Sequence, residues 1–135
     1  MALKIQQRAI AVPLGADPIV SPGYDVRSSS ILGVSSVLAG LNDGAAVQVT
    51  LQGSNETPPP GVSFGNWSGP ADESWFPLLD DQGNAMAASL TSANNGQAVN
   101  FSTIANAAAW ARVVATPTGA NAGTLVCDVV GKDRS

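Results

Sequence analysis

Histidine is absent from this chain of 135 residues, and cysteine occurs only once. Without histidine the chain lacks the side chain that most often serves as general base and metal ligand. A single cysteine excludes an intramolecular disulfide and a zinc site built from thiolates. Charged residues make up 12% of the sequence, about half the usual share. The chain therefore contains few side chains that could act in catalysis, and we predict no catalytic, metal or cofactor site.

Basic residues are scarce in the body of the chain and cluster near its two ends. The formal net charge is −4, and Arg112 is the only base between positions 28 and 131. An acidic body repels phosphate backbones, so we expect no nucleic-acid partner. The N-terminus lacks the apolar run of a signal peptide, and the segment 31–41 is too short to span a bilayer. We therefore expect no membrane partner and a soluble compartment.

Regular alternation of apolar and polar residues is the strongest structural signal that is present. Val47, Val49 and Leu51 alternate with polar residues, and positions 53–55 then interrupt the run. Such alternation buries one face of a strand and exposes the other. Several further short segments of this kind are separated by glycine, asparagine, aspartate and proline turns. The pattern predicts one all-β domain over residues 1–135, an antiparallel sandwich or barrel. Strands are predicted at 3–12, 24–27, 28–41, 75–79, 85–90, 99–101, 110–116 and 124–131.

Two segments do not fit the regular pattern of strands. Residues 1–27 become rich in proline and glycine after position 12, which indicates a possible extended arm. Residues 56–74 form a long loop that contains Pro58, Pro59 and Pro60. Three consecutive prolines favour a stiff, extended backbone. Loops of this length inside a compact domain tend to be functional or ordered by a partner.

Carboxylates and the single thiol are the remaining reactive groups. If the long loop folds back, Asp80 and Asp81 together with residues 72–73 supply a calcium site or an acid/base pair. The favoured interpretation is a solvated turn in which Gly83 takes positive φ. Cys127 shares one face of its predicted strand with Leu125 and Val129, which indicates a buried and inert thiol.

The aromatic residues suggest binding rather than chemistry. For Trp75 and Trp110 we favour packing in the core, with stacking on a sugar or anchoring of a protein interface as the alternative. Phe64 and Trp67 lie in a segment of glycine, serine, asparagine and proline that offers little local core. They are expected either to cover an open end of the domain or to dock on a partner.

The order of these elements, from 47–55 through 75–80 and 110–116 to 123–125, resembles the small jelly-roll modules of tailed bacteriophages. Such modules occur as capsid cement or decoration proteins and in tail-associated proteins. The outline is also similar to the galactose-binding, discoidin-type sandwich. The insertion 56–74 and the absence of a matching sugar-site signature in residues 1–44 favour the former resemblance. It implies an antiparallel jelly-roll β-sandwich with an N-terminal arm and one long loop.

The sequence therefore predicts a non-enzymatic structural protein of the virion, made in the host cytoplasm. As a cement or decoration subunit it would stabilise the head by bridging capsomers, and its partners would be the major capsid protein and copies of itself. The alternative is a carbohydrate-binding module of a phage tail or cell-surface assembly. The candidate interface residues are Pro58, Pro59, Pro60, Phe64, Trp67, Arg8 and Arg27.

Overall fold

Two antiparallel β-sheets make up the protein, and no α-helix occurs in residues 3–79, 82–103 and 105–132, which are those that the computed structural model describes. Residues 3–5 and 64 are described by their backbone alone. The predicted all-β class is confirmed. The strands are β1 Leu3–Pro13, β2 Ile19–Val20, β3 Tyr24–Asp25, β4 Ile31–Ala39, β5 Ala46–Ser54, β6 Phe76–Pro77, β7 Ala87–Thr91, β8 Ala98–Ser102, β9 Trp110–Thr118 and β10 Thr124–Lys132.

The ten strands are divided between two sheets, called sheet A and sheet B. Sheet A has the order β1-β10-β4-β8. In sheet B, β9 and β5 are central, β2 and β3 both pair with β9, and β6 and β7 both pair with β5. Each of these pairings is antiparallel. The first and last long strands therefore lie side by side, so the described part of the chain both begins and ends in sheet A.

A single apolar core is shared by the two sheets. Leu32 and Leu125 of sheet A and Val49 and Val113 of sheet B are fully buried members of it. The alternation in β5 decides which side chains enter this core, since its odd-numbered apolar residues are buried while Gln48 is exposed. The predicted strand is confirmed. The interruption expected at 53–55 comes later, because β5 continues through residue 54.

Gly53 is an internal strand residue rather than a turn residue. A Cβ atom at this position would lie 2.7 Å from Cβ of Ala108 and 2.9 Å from Cδ2 of Leu78. Only glycine leaves room for these two buried side chains, which close the end of the core over β5. The close approach of Ala108 and Leu78 therefore explains the glycine at this position, and the strand continues where the sequence indicates a turn.

The N-terminal segment 1–27, expected as a possible extended arm, is extended but is built into both sheets from residue 3 onward. β1 pairs along its length with β10, and β2 and β3 pair with β9. Ile10, Leu14 and Val26 are buried in the core. These apolar residues are the physical reason that the segment packs on its own domain.

The remaining strand predictions are largely confirmed, including β4 within the segment 28–41. The strand expected over 75–79 is shorter, since β6 covers only Phe76–Pro77, and its second residue has no backbone N–H to donate. Gly83 has a φ of 81°, as predicted for its turn. Asp80 and Asp81 lie outside the described residues.

Candidate functional site

The loop of residues 56–74, called the proline loop below, folds back onto the outer face of sheet B. Oγ of Ser54 lies 3.0 Å from Oγ of Ser74. The backbone N–H of Ala71 donates to both carboxylate oxygens of Glu56, at 3.3 and 3.2 Å. The side chain of Ser54 lies on the face of β5 that points away from the core, but it is fully buried because the returning loop covers it. The base of the proline loop is therefore fixed.

All three tryptophans of the chain lie at this base. Trp67 returns from the loop and packs edge-on against Trp110 of β9, with ring centroids 5.6 Å apart and an interplanar angle of 74°. Trp75 follows the short 3-10 helix Asp72–Ser74. We call Trp67, Trp75 and Trp110 the tryptophan cluster. Each is partly buried, and none belongs to the core between the sheets.

The expectation that Trp75 and Trp110 pack in the core is therefore wrong. In β9 the inward positions next to Trp110 and Arg112 are taken by a small and a β-branched residue, Ala111 and Val113. Side chains on a strand alternate between faces, so Trp110 and Arg112 both point outward. The proline loop covers this outer face and shields the indoles from water in place of the core.

Arg112 is the charged centre of the site. Its Nε donates to Oε1 of Gln52, directly across on β5, at 2.8 Å. Its guanidinium carbon lies 4.5 Å from the ring centroid of Trp75, in a cation–π arrangement. NH1 is 3.6 Å from Oδ1 of Asp72. The Arg112 side chain is only 15% exposed, whereas that of Asp72 is 98% exposed, so the ion pair itself is a weak constraint.

A cleft of about 250 Å³ opens beside this arginine. One wall comes from the segment that links β2 and β3, and the other from the end of the proline loop. We call it the tryptophan cleft, and its lining residues are Ser21, Pro22, Gly23, Ser68, Gly69, Pro70, Trp75, Trp110 and Arg112.

The tip of the proline loop, residues 57–66, differs from its base. Pro59, Pro60 and Val62 are exposed, and Pro58 is partly buried. Phe64 begins a short 3-10 helix, Phe64–Asn66, and only its backbone is described. Of the predicted interface residues, the structure thus places the three prolines at the exposed tip and Trp67 at the base.

The two predicted interface arginines lie elsewhere. Arg8 of β1 forms an ion pair with Asp128 of β10, with Nε 2.9 Å from Oδ1. Arg27 binds Asp25, with NH2 2.6 Å from Oδ2. Hydrogen bonds from Arg27 lower the pKa of the Asp25 carboxyl, and Asp128 raises the pKa of Arg8. Both arginines are exposed and satisfied by carboxylates of their own chain.

Other surfaces of the described chain offer less chemistry. A depression of about 710 Å³ on sheet A, beside the edge strand β8, has Lys132 as its only ionisable lining residue. Within the described ranges, no three His, Cys, Asp or Glu residues come together as a metal site. No described helix has the length and apolarity needed to cross a membrane. Cys127 is fully buried as predicted, beside Ser36, and burial raises the pKa of its thiol.

Sequence reasoning missed Arg112, Gln52 and Gly23 as parts of the site. One signal was present: Arg112 is the isolated base of the acidic body and lies two residues after Trp110, which places both on one strand face. Gln52 joins them only through the pairing of β5 with β9. Gly23 joins them through the pairing of β3 with β9 and through the return of the loop, which places Trp75 against it. The local sequence specifies neither contact.

Neither family models, nor curated proteins, nor solved structures give a significant match to this chain. The fold and the site together define an all-β protein of two antiparallel sheets that carries a tryptophan–arginine cleft beside an exposed, proline-stiffened tip.

Proposed function

We propose that the two sheets form a jelly roll and that the chain is a structural, non-enzymatic subunit of a tailed-bacteriophage particle. The strand order carries this proposal. When β2 with β3, and β6 with β7, are each counted as one interrupted strand, the eight strands form two four-stranded sheets with the orders β1-β10-β4-β8 and β2/β3-β9-β5-β6/β7. This order matches a jelly roll of two Greek keys, an architecture used by viral capsid and lectin domains. The step from fold to function is an analogy.

Two surface properties support an assembly role. The chain carries few charges, so uncharged residues make up most of its solvent-facing positions. Edge strands β2 and β6 each present an exposed large apolar side chain, Val20 and Phe76. Exposed apolar residues at unpaired edges favour contacts with other subunits. Copies of this chain would then associate through these edges as a symmetric oligomer in the virion.

The proline loop provides the contact to the major capsid protein in this proposal. Its base is held by Ser54, Glu56 and the tryptophan cluster, whereas its tip is exposed. A stiff tip on a fixed base loses little conformational entropy when it docks, which leaves more of the contact energy for affinity. The tip therefore bridges capsomers. Arg8 and Arg27 already form ion pairs with carboxylates of their own chain, so they contribute at most at the rim of this contact.

A replacement of the loop tip tests the mechanism. Residues 58–65 are exchanged for a Gly-Ser segment of equal length, which keeps the base intact. We expect the variant to remain folded but to lose co-sedimentation with shells of the major capsid protein encoded in the same phage genome. Since all three tryptophans lie at the loop base, unchanged tryptophan emission verifies that the base is preserved.

A matched control exchanges residues 15–18, another exposed segment, for Gly-Ser. This control is expected to bind shells like the native chain. Undiminished binding of the tip variant would refute the bridging mechanism. A gene neighbourhood without any capsid protein, together with a monomeric mass in solution, would refute the virion assignment itself.

A further inference from the structure

Arg112 has unused hydrogen-bonding capacity in a sheltered place. A guanidinium carries five N–H donors. In the described part of the chain, only Nε of Arg112 donates a hydrogen bond, to Gln52, since NH1 is too far from Asp72 for one. Yet the side chain is 15% exposed and lines the tryptophan cleft. Its terminal nitrogens therefore keep donors that are available to a ligand in the cleft.

The shape of the cleft depends on the absence of a side chain at position 23. A Cβ on Gly23 would lie 3.0 Å from Cη2 and 3.2 Å from Cζ2 of Trp75. Glycine thus allows the edge of the indole to lie directly against the backbone of the opposite wall. Trp75 is held from a second side by the guanidinium of Arg112. These two contacts fix the indole, which forms part of a preorganised wall.

The lining combines indole surface with hydroxyl, backbone and guanidinium groups. Pockets that select small ligands have this composition, with aromatic walls and a few placed polar groups. The volume of about 250 Å³ lies slightly below the range of about 300–1,000 Å³ that is typical of drug-sized ligands. The cleft is therefore suited to one ring-sized unit of a larger molecule.

We propose that the tryptophan cleft binds one pyranose unit of a surface glycan. The C–H face of a sugar ring is apolar and packs on the electron-rich face of an indole. The hydroxyl oxygens around the ring then accept from the terminal nitrogens of Arg112 and exchange hydrogen bonds with Ser68. Because neutral hydroxyl oxygens accept hydrogen bonds from a guanidinium, the site does not require an anionic sugar.

This binding function is independent of the assembly role, because it uses the fixed base of the proline loop rather than its exposed tip. In a phage particle the two roles are compatible, since a subunit that docks through its tip leaves the cleft on sheet B available to a cell-surface or capsular glycan. The tip replacement described above is expected to leave sugar binding unchanged.

Intrinsic tryptophan fluorescence reports directly on the cleft, since the whole tryptophan content lies in the cluster. The full chain is titrated with the methyl glycosides of glucose, galactose and N-acetylglucosamine, with sodium glucuronate and with sodium acetate. We expect a saturable emission change with at least one sugar, at a Kd in the millimolar range. A glycan array extends the search to longer chains.

Two variants locate the binding. Arg112→Met removes the donors and keeps the length of the side chain, and we expect Kd to rise about tenfold, the change expected for losing one charge-assisted hydrogen bond. Gly23→Ala narrows the cleft by crowding Trp75 and is expected to weaken binding without loss of fold. Arg8→Met is the matched control, and Kd should not change.

Three outcomes would overturn the proposal. The first is the absence of any saturable response or array signal. The second is sugar binding that is unchanged in both Arg112→Met and Gly23→Ala, because the site would then lie elsewhere. The third is an equal response to glucuronate and acetate with none to neutral sugars, which would define a simple carboxylate site at Arg112. If Arg112→Met fails to fold, Gly23→Ala and the native titrations still decide.

Discussion

At the residue scale, Gly53 shows how one position can be misread from its neighbours. In the sequence it stands before serine and asparagine and resembles the start of a turn. In the structure it is a buried strand residue that admits Leu78 and Ala108. We expect Gly53→Ala to lower the free energy of unfolding by about 1–3 kcal/mol, the usual cost of overpacking.

Chemical denaturation measures this effect, with Gly15→Ala as the control. A Cβ on Gly15 has no heavy atom within 4 Å, and this glycine is exposed. The control should differ from the native chain by less than about 0.5 kcal/mol. Equal stability of the Gly53→Ala and Gly15→Ala variants would contradict the close packing described here.

Cys127 provides a second prediction at this scale. Burial raises the pKa of its thiol, so the folded state favours the neutral form. The resulting contribution to stability is complete below the pKa of the unfolded thiol, about 8.5, and decreases as pH rises above it. We expect Ellman's reagent to modify the thiol at pH 8 only after unfolding in urea. Rapid stoichiometric modification of the native chain would show that the thiol is accessible.

At the scale of the element, β5 is the strand whose sequence is most informative. Its alternation assigns Leu51 to the core and Gln48 to the surface, and the structure agrees. We expect Leu51→Ala to lower the free energy of unfolding by about 2–5 kcal/mol because it leaves a cavity. Gln48→Ala should change it by less than about 0.5 kcal/mol. Comparable losses in both variants, measured by urea denaturation, would mean that the strand is not packed in this register.

The proline loop is an element whose path the sequence does not reveal. Its length and prolines indicate an ordered or functional segment, but its anchor is a carboxylate that meets an amide 15 residues away. We expect Glu56→Ala to release the base and to accelerate hydrogen exchange at the Ala71 amide, with a loss of about 1 kcal/mol in local stability.

Glu73→Ala is the matched control for the loop, because Glu73 is exposed and lies in the same segment without a role in the anchor. In the Glu73→Ala variant, the Ala71 amide should exchange its hydrogen at the same rate as in the native chain. Identical exchange in the two variants would show that the Glu56 carboxylate does not hold the loop.

At the scale of the whole molecule, β1 decides whether sheet A is complete. Its partner β10 comes from the other end of the chain, and Ile10 fills a position in the shared core. We expect removal of residues 1–13 to abolish cooperative thermal unfolding or to cause aggregation, because it uncovers both core surface and the edge of β10. The control Arg8→Ala, which removes only a surface ion pair, should retain the native transition. A truncated chain that stays soluble and unfolds cooperatively would show that β1 is an accessory arm after all.

The all-β class and most strand positions were determined by the sequence, because alternation and turn residues are local properties that act within a few residues. The burial of Cys127 also follows from local alternation. The tryptophan cleft was decided only by tertiary structure. It needs β5 to pair with β9, the proline loop to return over sheet B, and Gly23 to face Trp75. These contacts join residues far apart along the chain, and no local preference of the backbone or side chains specifies them.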